Sequence, residues 1–307
     1  MHLSRRTLLK WVLASSAGLM LPRGVSAAPG VPAPAVTALA SSIRDVIGDR
    51  AVGFDLRHVD PTTAEAFFRI QINADNLYPV ASCFKTWLAL YYFWHTPVAE
   101  WAFAEGTLPY SVVVFSNNTR TGTLIEEVGA QLDIYGNPVE KFNDFLLYTV
   151  GMQNGLYNWN WEGNPIEGIS DRRFTPSLSQ RYVQIDDTRY QMDNLFTAAD
   201  LVNGYMFLLR RDRTYAAAID ATIQLASIPA PEYIAPVERA FRTTYTGKDG
   251  VVPADTSVIG RVINDAGIIQ VGSGTYVISI MCAGEGEFEC IAMLREIADL
   301  IQVYEDA

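Results

Sequence analysis

The sequence predicts an α/β protein of the α+β kind: an antiparallel five-stranded sheet drawn from both chain ends, flanked by terminal helices and packed on a central all-helical region. Three observations predict it. Two strand-like runs follow a helix near the start, three more precede a helix at the end, and the long stretch between carries mostly helical periodicity.

Taken in order, the chain opens on an export leader. Ser4-Arg5-Arg6-Thr7-Leu8-Leu9-Lys10 sets a paired arginine before an apolar run, the mark of the twin-arginine route. The run from Trp11 to Leu21 is too short and too rich in Ser, Ala and Gly to span a bilayer, and Val25-Ser26-Ala27 supplies a small-x-small cleavage site. Residues 1–27 are therefore expected to leave, placing the mature chain in the periplasm or outside the cell. Residues 28–35 read as a Pro- and Ala-rich linker, and 36–47 as a helix. Ala51–Val59 and Ala64–Ile72 then form a hairpin around Asp60-Pro61-Thr62-Thr63. Ser82–His95 is a helix apolar almost all round, which marks it as buried. Helical segments follow from about 110 to 225, broken near 151–170 by a loop rich in Gly, Asn and Trp. Phe241–Thr246, Ile263–Val271 and Thr275–Ala283 read as strands, the last two joined by a Gly-Ser-Gly turn, and Glu287–Tyr304 closes the chain as a helix. One catalytic domain, 36–307, is expected, with 36–80 and 238–307 as its α/β lobe and 81–237 as its helical lobe.

Charge narrows the partners. Loss of residues 1–27 leaves 19 basic residues against 34 acidic, a balance of −15 that repels nucleic acid and anionic lipid. A small-molecule substrate or a wall component fits better, with no stable membrane insertion after cleavage and a monomer expected. Two isolated histidines in the mature chain, His58 and His95, cannot build a multi-histidine zinc site, and no phosphate-cradling loop or G-x-S-x-G elbow is present. No metal or cofactor is called for. Cys83, Cys282 and Cys290 permit at most one intramolecular disulfide, and Cys83 is expected to be packed and inert.

The chemistry centres on Ser82-Cys83-Phe84-Lys85. Lys85 is the only charged residue between Asn76 and Ala99, among Trp87, Leu88, Leu90 and Tyr91 to Trp94, so desolvation should lower its pKa and leave it basic and neutral. A three-residue spacing puts Ser82 one turn from Lys85, and Pro79-Val80-Ala81 places the hydroxyl at the helix start, where free N–H groups favour negative charge. An activated nucleophile follows; a capping serine and a snorkelling lysine are the alternative.

With these residues the sequence resembles the serine β-lactamases and penicillin-binding proteins, nearest to the class A β-lactamase pattern of S-x-x-K, S-D-N and K-T-G. Ser116-Asn117-Asn118 looks like the S-D-N loop, with Asn117 in place of Asp. The resemblance implies that Ser116 passes a proton to the leaving nitrogen and that Asn118 orients substrate and Lys85. Tyr245-Thr246-Gly247-Lys248 looks like the K-T-G strand with its lysine replaced. By that assignment Thr246 binds a substrate carboxylate and the Lys248 amide joins that of Ser82 around the oxyanion, while Lys248 or Arg261 is left to replace the lost cation. Strand alternation would aim the Lys248 side chain at the opposite face. Leu156-Tyr157-Asn158-Trp159-Asn160-Trp161-Glu162 is similar to the omega loop, making Glu162 the general base for a hydrolytic water. Only 34 positions separate Ser82 from Ser116, which implies a more open site. The function implied is β-lactam hydrolysis through an acyl-enzyme at Ser82, with a DD-peptidase or esterase of the same fold, or a non-catalytic binding protein, as rivals.

Overall fold

The computed structural model describes residues 24–132, 138–156, 182–185, 188–191, 194–231, 233–253 and 260–307. Its main sheet holds β1 (Val25–Ala27), β2 (Val52–Val59), β3 (Ala66–Ile72), β8 (Tyr245–Val252), β9 (Val262–Val271) and β10 (Gly274–Ala283), while β4 (Tyr78–Pro79) pairs with β7 (Leu195–Phe196) and β5 (Tyr182–Ile185) with β6 (Thr188–Gln191) in two small ladders. The spatial order in the main sheet is β1-β3-β2-β10-β9-β8, antiparallel throughout, so strands from the two chain ends meet where β2 pairs with β10, Leu56 opposite Ile278. Four of the six lie where expected and a fifth, β8, is displaced along the chain. The sixth, β1, comes from the expected cleavage site and pairs Val25 with Ile70; a cut after Ala27 would remove it and leave β3 as the sheet edge.

Alternation sorts the side chains into two cores. From β10, Tyr276, Ile278, Ile280 and Cys282 face the terminal helices α1 (Ala33–Ile47) and α9 (Glu287–Glu305), meeting Ile43, Ile47, Leu294 and Ile297. Each such fully buried side chain contributes about 1.5–3 kcal/mol. Cys282 and Cys290 sit there as free thiols with their sulfurs 3.5 Å apart. Val277 and Met281 point the other way, into the helical lobe. The linker expected over 28–35 is shorter than read, because Pro34 sits in the first turn of α1, where its missing N–H has no helical partner to lose.

Ser82 does not open the long helix as expected. It lies in a one-turn 3₁₀ segment, Ala81–Phe84, and α2 (Lys85–His95) follows, buried at nearly every position. Around α2 pack α3 (Leu108–Val113), α4 (Asn118–Gln131), α5 (Pro138–Phe145), α6 (Ala198–Arg210) and α7 (Ala216–Ala226). A Cβ at Gly204 on α6 would lie 2.3 Å from the Trp87 ring, so only glycine lets the two helices approach this closely. Between α6 and the sheet runs a polar layer. Asp55, with no exposed surface, accepts from Arg69 at 2.5 Å and Arg57 at 3.3 Å, and Arg57 donates to Asn203 on α6 at 2.7 Å.

The predicted strand Phe241–Thr246 is displaced. Residues Pro236–Phe241 form α8, and β8 starts only at Tyr245, running to Val252. Lys248, Asp249 and Gly250 have weak strand preference, which hid the strand's second half; β9 supplies the pairing that holds them extended, Lys248 opposite Ala266 and Gly250 opposite Asn264.

Candidate active site

The turn that carries Ser82 is fixed from both sides. Val80 N–H donates to Asn194 O at 2.8 Å, Asn264 Nδ2 donates to Pro79 O at 2.5 Å, and Cys83 N–H closes the turn on Val80 O at 3.2 Å. Ala81 is held at φ 50°, a conformation that disfavours a side chain and turns the next residue outward. Ser82 thereby lines a cleft of about 460 Å³ together with Ser116, Asn118, Tyr233, Lys248, Asp249 and Gly250.

Lys85 lies beneath it, 1 % exposed. Its Nζ reaches Ser116 O at 2.7 Å, Asn118 Oδ1 at 2.8 Å and Ser116 Oγ at 3.3 Å. Among the described residues no hydrogen bond joins it directly to Ser82 Oγ. Burial drives the Lys85 pKa well below its ordinary value, and the nearby positive charge of Lys248 adds to the effect. Ser116 itself sits at φ 55°, which lets its carbonyl and hydroxyl both turn toward the amine. Asn117, in the place of the expected Asp, caps α4 by accepting from Arg120 N–H at 2.9 Å. Cys83 is fully buried, with its pKa raised by desolvation, so it is a packing residue beside the nucleophile.

The strand opposite Ser82 is β8, and the close approach is made by Gly250. A Cβ there would lie 2.6 Å from the Ser82 nitrogen and 2.8 Å from the Ala81 Cβ. Lys248, two residues earlier on the same strand face, is 5 % exposed and donates to Asp249 Oδ1 at 2.8 Å and Asp249 O at 2.9 Å. Tyr245 and Thr246 are elsewhere. Tyr245 Oη–H donates to the buried carboxylate of Asp265 and to Ala266 O, and Thr246 Oγ1 pairs with Ser227 Oγ at 2.7 Å. Tyr245 and Gly247 line a smaller adjoining pocket that shares Lys248 and Asp249 with the cleft of Ser82, and neither they nor Thr246 line that cleft itself. Glu162 lies outside the described residues, but the segment leading to it is anchored: Asp200 accepts from Gln153 N–H at 2.6 Å and Asn154 Nδ2 at 2.7 Å.

No protein-family model matches the sequence, and no curated protein matches it. Solved structures do. TLA-1 extended-spectrum β-lactamase superposes with a TM-score of 0.61 at 16 % identity, over 87 % of this chain and 98 % of its own. A β-lactamase from Sphaerobacter thermophilus gives 0.57 at 16 %, over 86 % and 95 %, and PBP-A gives 0.56 at 14 %, over 87 % and 96 %. This chain has the serine β-lactamase and penicillin-binding-protein fold.

Within that fold, Ser82, Lys85, Ser116 and Asn118 come together, whereas Tyr245-Thr246-Gly247 is corrected. The strand residues that line the cleft beside the nucleophile read Lys248-Asp249-Gly250, a K-x-G three residues later in the chain than the Y-T-G assigned from sequence. The expectation that alternation would turn Lys248 away from the site does not hold, because the stretch of β8 beside Ser82 begins at Lys248 and that residue lines the cleft. The signal was in the sequence. A lysine two residues before a glycine can occupy a K-T-G strand, but the strand's late start could not be read locally. Tyr233 was missed altogether. It lines the cleft, and its buried hydroxyl has no hydrogen-bond partner among the described residues.

Proposed function

We propose that the protein is a serine acyl hydrolase, exported by the twin-arginine route, that acts on a small-molecule amide or ester through an acyl-enzyme at Ser82. The observation that carries this reading is Lys85: an amine with almost no exposed surface, held by two carbonyl oxygens at the floor of a cleft lined by a serine hydroxyl. A neutral amine has two N–H donors, which Ser116 O and Asn118 Oδ1 take up, and one lone pair, left for a proton from a hydroxyl. Lowering of the Lys85 pKa favours that neutral form.

In the first step Ser82 Oγ loses its proton to Lys85, with Ser116 Oγ positioned to relay it, and bonds to the substrate carbonyl carbon. The Ser82 amide and the edge amides of β8 beside Gly250 receive the oxyanion. Collapse breaks the C–N or C–O bond, and the leaving atom takes the proton back through Ser116. Water then attacks the ester, releases the acid and restores Ser82. Glu162 is assigned to that water on the pattern of the omega loop, and Asn118 to orienting the acyl group.

Hydrolysis of a β-lactam is the substrate reading that the fold suggests. An esterase or peptidase reading is favoured by one observation, the pairing of Lys248 with Asp249, which occupies the cation of the K-x-G strand. Intact-mass analysis after exposure to nitrocefin and to p-nitrophenyl acetate tests the common step. A serine-linked adduct and turnover of at least one of the two are expected in the wild type, with both lost in Ser82→Ala and Lys85→Ala. Turnover that survives Ser82→Ala overturns the proposal.

A further inference from the structure

Among the described residues the charged side chains lining the cleft are Lys248, Asp249 and Arg261, and each has a partner of opposite sign. Lys248 Nζ lies 2.8 Å from Asp249 Oδ1, with side chains only 6 % and 18 % exposed, so this pair is largely withdrawn from water. Arg261 Nη2 lies 3.4 Å from Glu287 Oε2, and Glu287 also holds Arg239 at 3.5 Å. Lys85 contributes little positive charge in its neutral form. An anion entering this space finds no unpaired cation among the described residues and meets the Asp249 carboxylate at close range; a cation meets Lys248 and Arg261. Either charge would also lose its hydration without a partner. What the cleft does offer is the hydroxyl of Ser116, an amide at Asn118 and apolar contact from Val114, Phe115 and Val251. Those groups suit an uncharged polar ligand.

We propose that the cleft selects acyl substrates that are uncharged next to the scissile carbonyl, with Asp249 acting as the residue that excludes a carboxylate. This rests on the reading of Ser82 as the nucleophile and narrows its substrate class. Asp249 is a specificity residue here: it neutralises Lys248, and it presents its own negative charge to any carboxylate drawn toward that lysine. Replacing it by a neutral side chain of the same size would leave Lys248 as a free cation in a half-enclosed site.

Benzylpenicillin and its methyl ester form a matched pair that differs in this charge and one methyl group. Their rates of adduct formation on the full-length protein, read by intact mass, are expected to favour the ester by about tenfold or more, the size of one poorly screened like-charge contact. In Asp249→Asn the ratio is expected to fall by at least the same factor, because the free acid gains. Equal rates in the wild type, or an unchanged ratio in folded Asp249→Asn, would overturn the inference. Equilibrium binding of the two compounds to Ser82→Ala separates this from the nucleophile assignment. A preference for the ester there upholds the charge selection even if neither compound acylates the wild type, a result that would count against lactams as substrates. Tighter binding of the free acid sinks the charge selection whatever Ser82 does.

Discussion

Gly250 shows how much one hydrogen atom in place of a methyl group decides at this site. Its Cα stands where a Cβ would come within 2.6 Å of the Ser82 nitrogen, and the atoms it would strike, two backbone nitrogens and the Ala81 Cβ, cannot rotate away. Gly250→Ala is therefore expected to push the 3₁₀ turn from β8, lowering kcat by about tenfold to a hundredfold, as misplacement of reacting groups does, with a smaller change in KM; steady-state kinetics on the best ester substrate would check it. Asp265 makes a prediction of another kind. Burial, then the charge of Asp249, raise its pKa from the usual carboxylate value to about 7, while Tyr245, Val237 N–H and Lys248 oppose the rise. The folded state then binds this proton more tightly than the unfolded chain, so stability is greatest below about pH 4 for this group and falls as pH rises toward 7, by on the order of 4 kcal/mol. Asp265→Asn is expected to flatten that part of the pH–stability curve measured by urea unfolding. Residues of this kind were unevenly legible. Lys85 stands out in sequence because nothing charged surrounds it, whereas the partners that hold it, Ser116 and Asn118, are unremarkable letters until the fold sets them within 3.3 Å.

Among the elements, α2 was the most readable, since an unbroken apolar helix has to be enclosed by others. Its exact start was not, because Ala81 at φ 50° breaks the helical path with a residue that carries no turn signature. The contact of α2 with α6 depends on Gly204. Gly204→Ala forces a methyl group against Trp87, whose indole is itself packed edge-on against Tyr205 with ring centres 5.2 Å apart. A loss of about 1–3 kcal/mol in unfolding free energy is expected, seen as a lower denaturant midpoint with an unchanged slope. β8 was misread because its sequence, Tyr245-Thr246-Gly247-Lys248-Asp249-Gly250-Val251-Val252, has strand formers only at its ends. Pairing along all eight residues with β9 overrides that local preference, and the misplaced strand carried the misplaced K-T-G assignment with it.

At the scale of the molecule, the helical core and the front of the sheet form one buried cluster that includes Trp87, Tyr205, Ala266, Val277 and Met281. Removing one lobe would strip the other of its cover, so both lobes are expected to unfold together, with far-ultraviolet and near-ultraviolet circular dichroism giving coincident thermal transitions. Two separated transitions would show that the polar layer around Asp55 and Arg57 parts first. The order of the main strands and helices and the buried helix with its lone lysine were legible in the sequence alone, because periodicity and an isolated lysine are properties of neighbouring letters, whereas Ser116 and Asn118 were pointed to only by the family resemblance. The face of β8 that looks at Ser82, the pairing of Lys248 with Asp249 and the burial of the Tyr233 hydroxyl were decided only by tertiary structure. Each depends on which residues more than a hundred positions apart, or on opposite sides of a strand, end within a few ångströms of one another, and no local pattern encodes that distance.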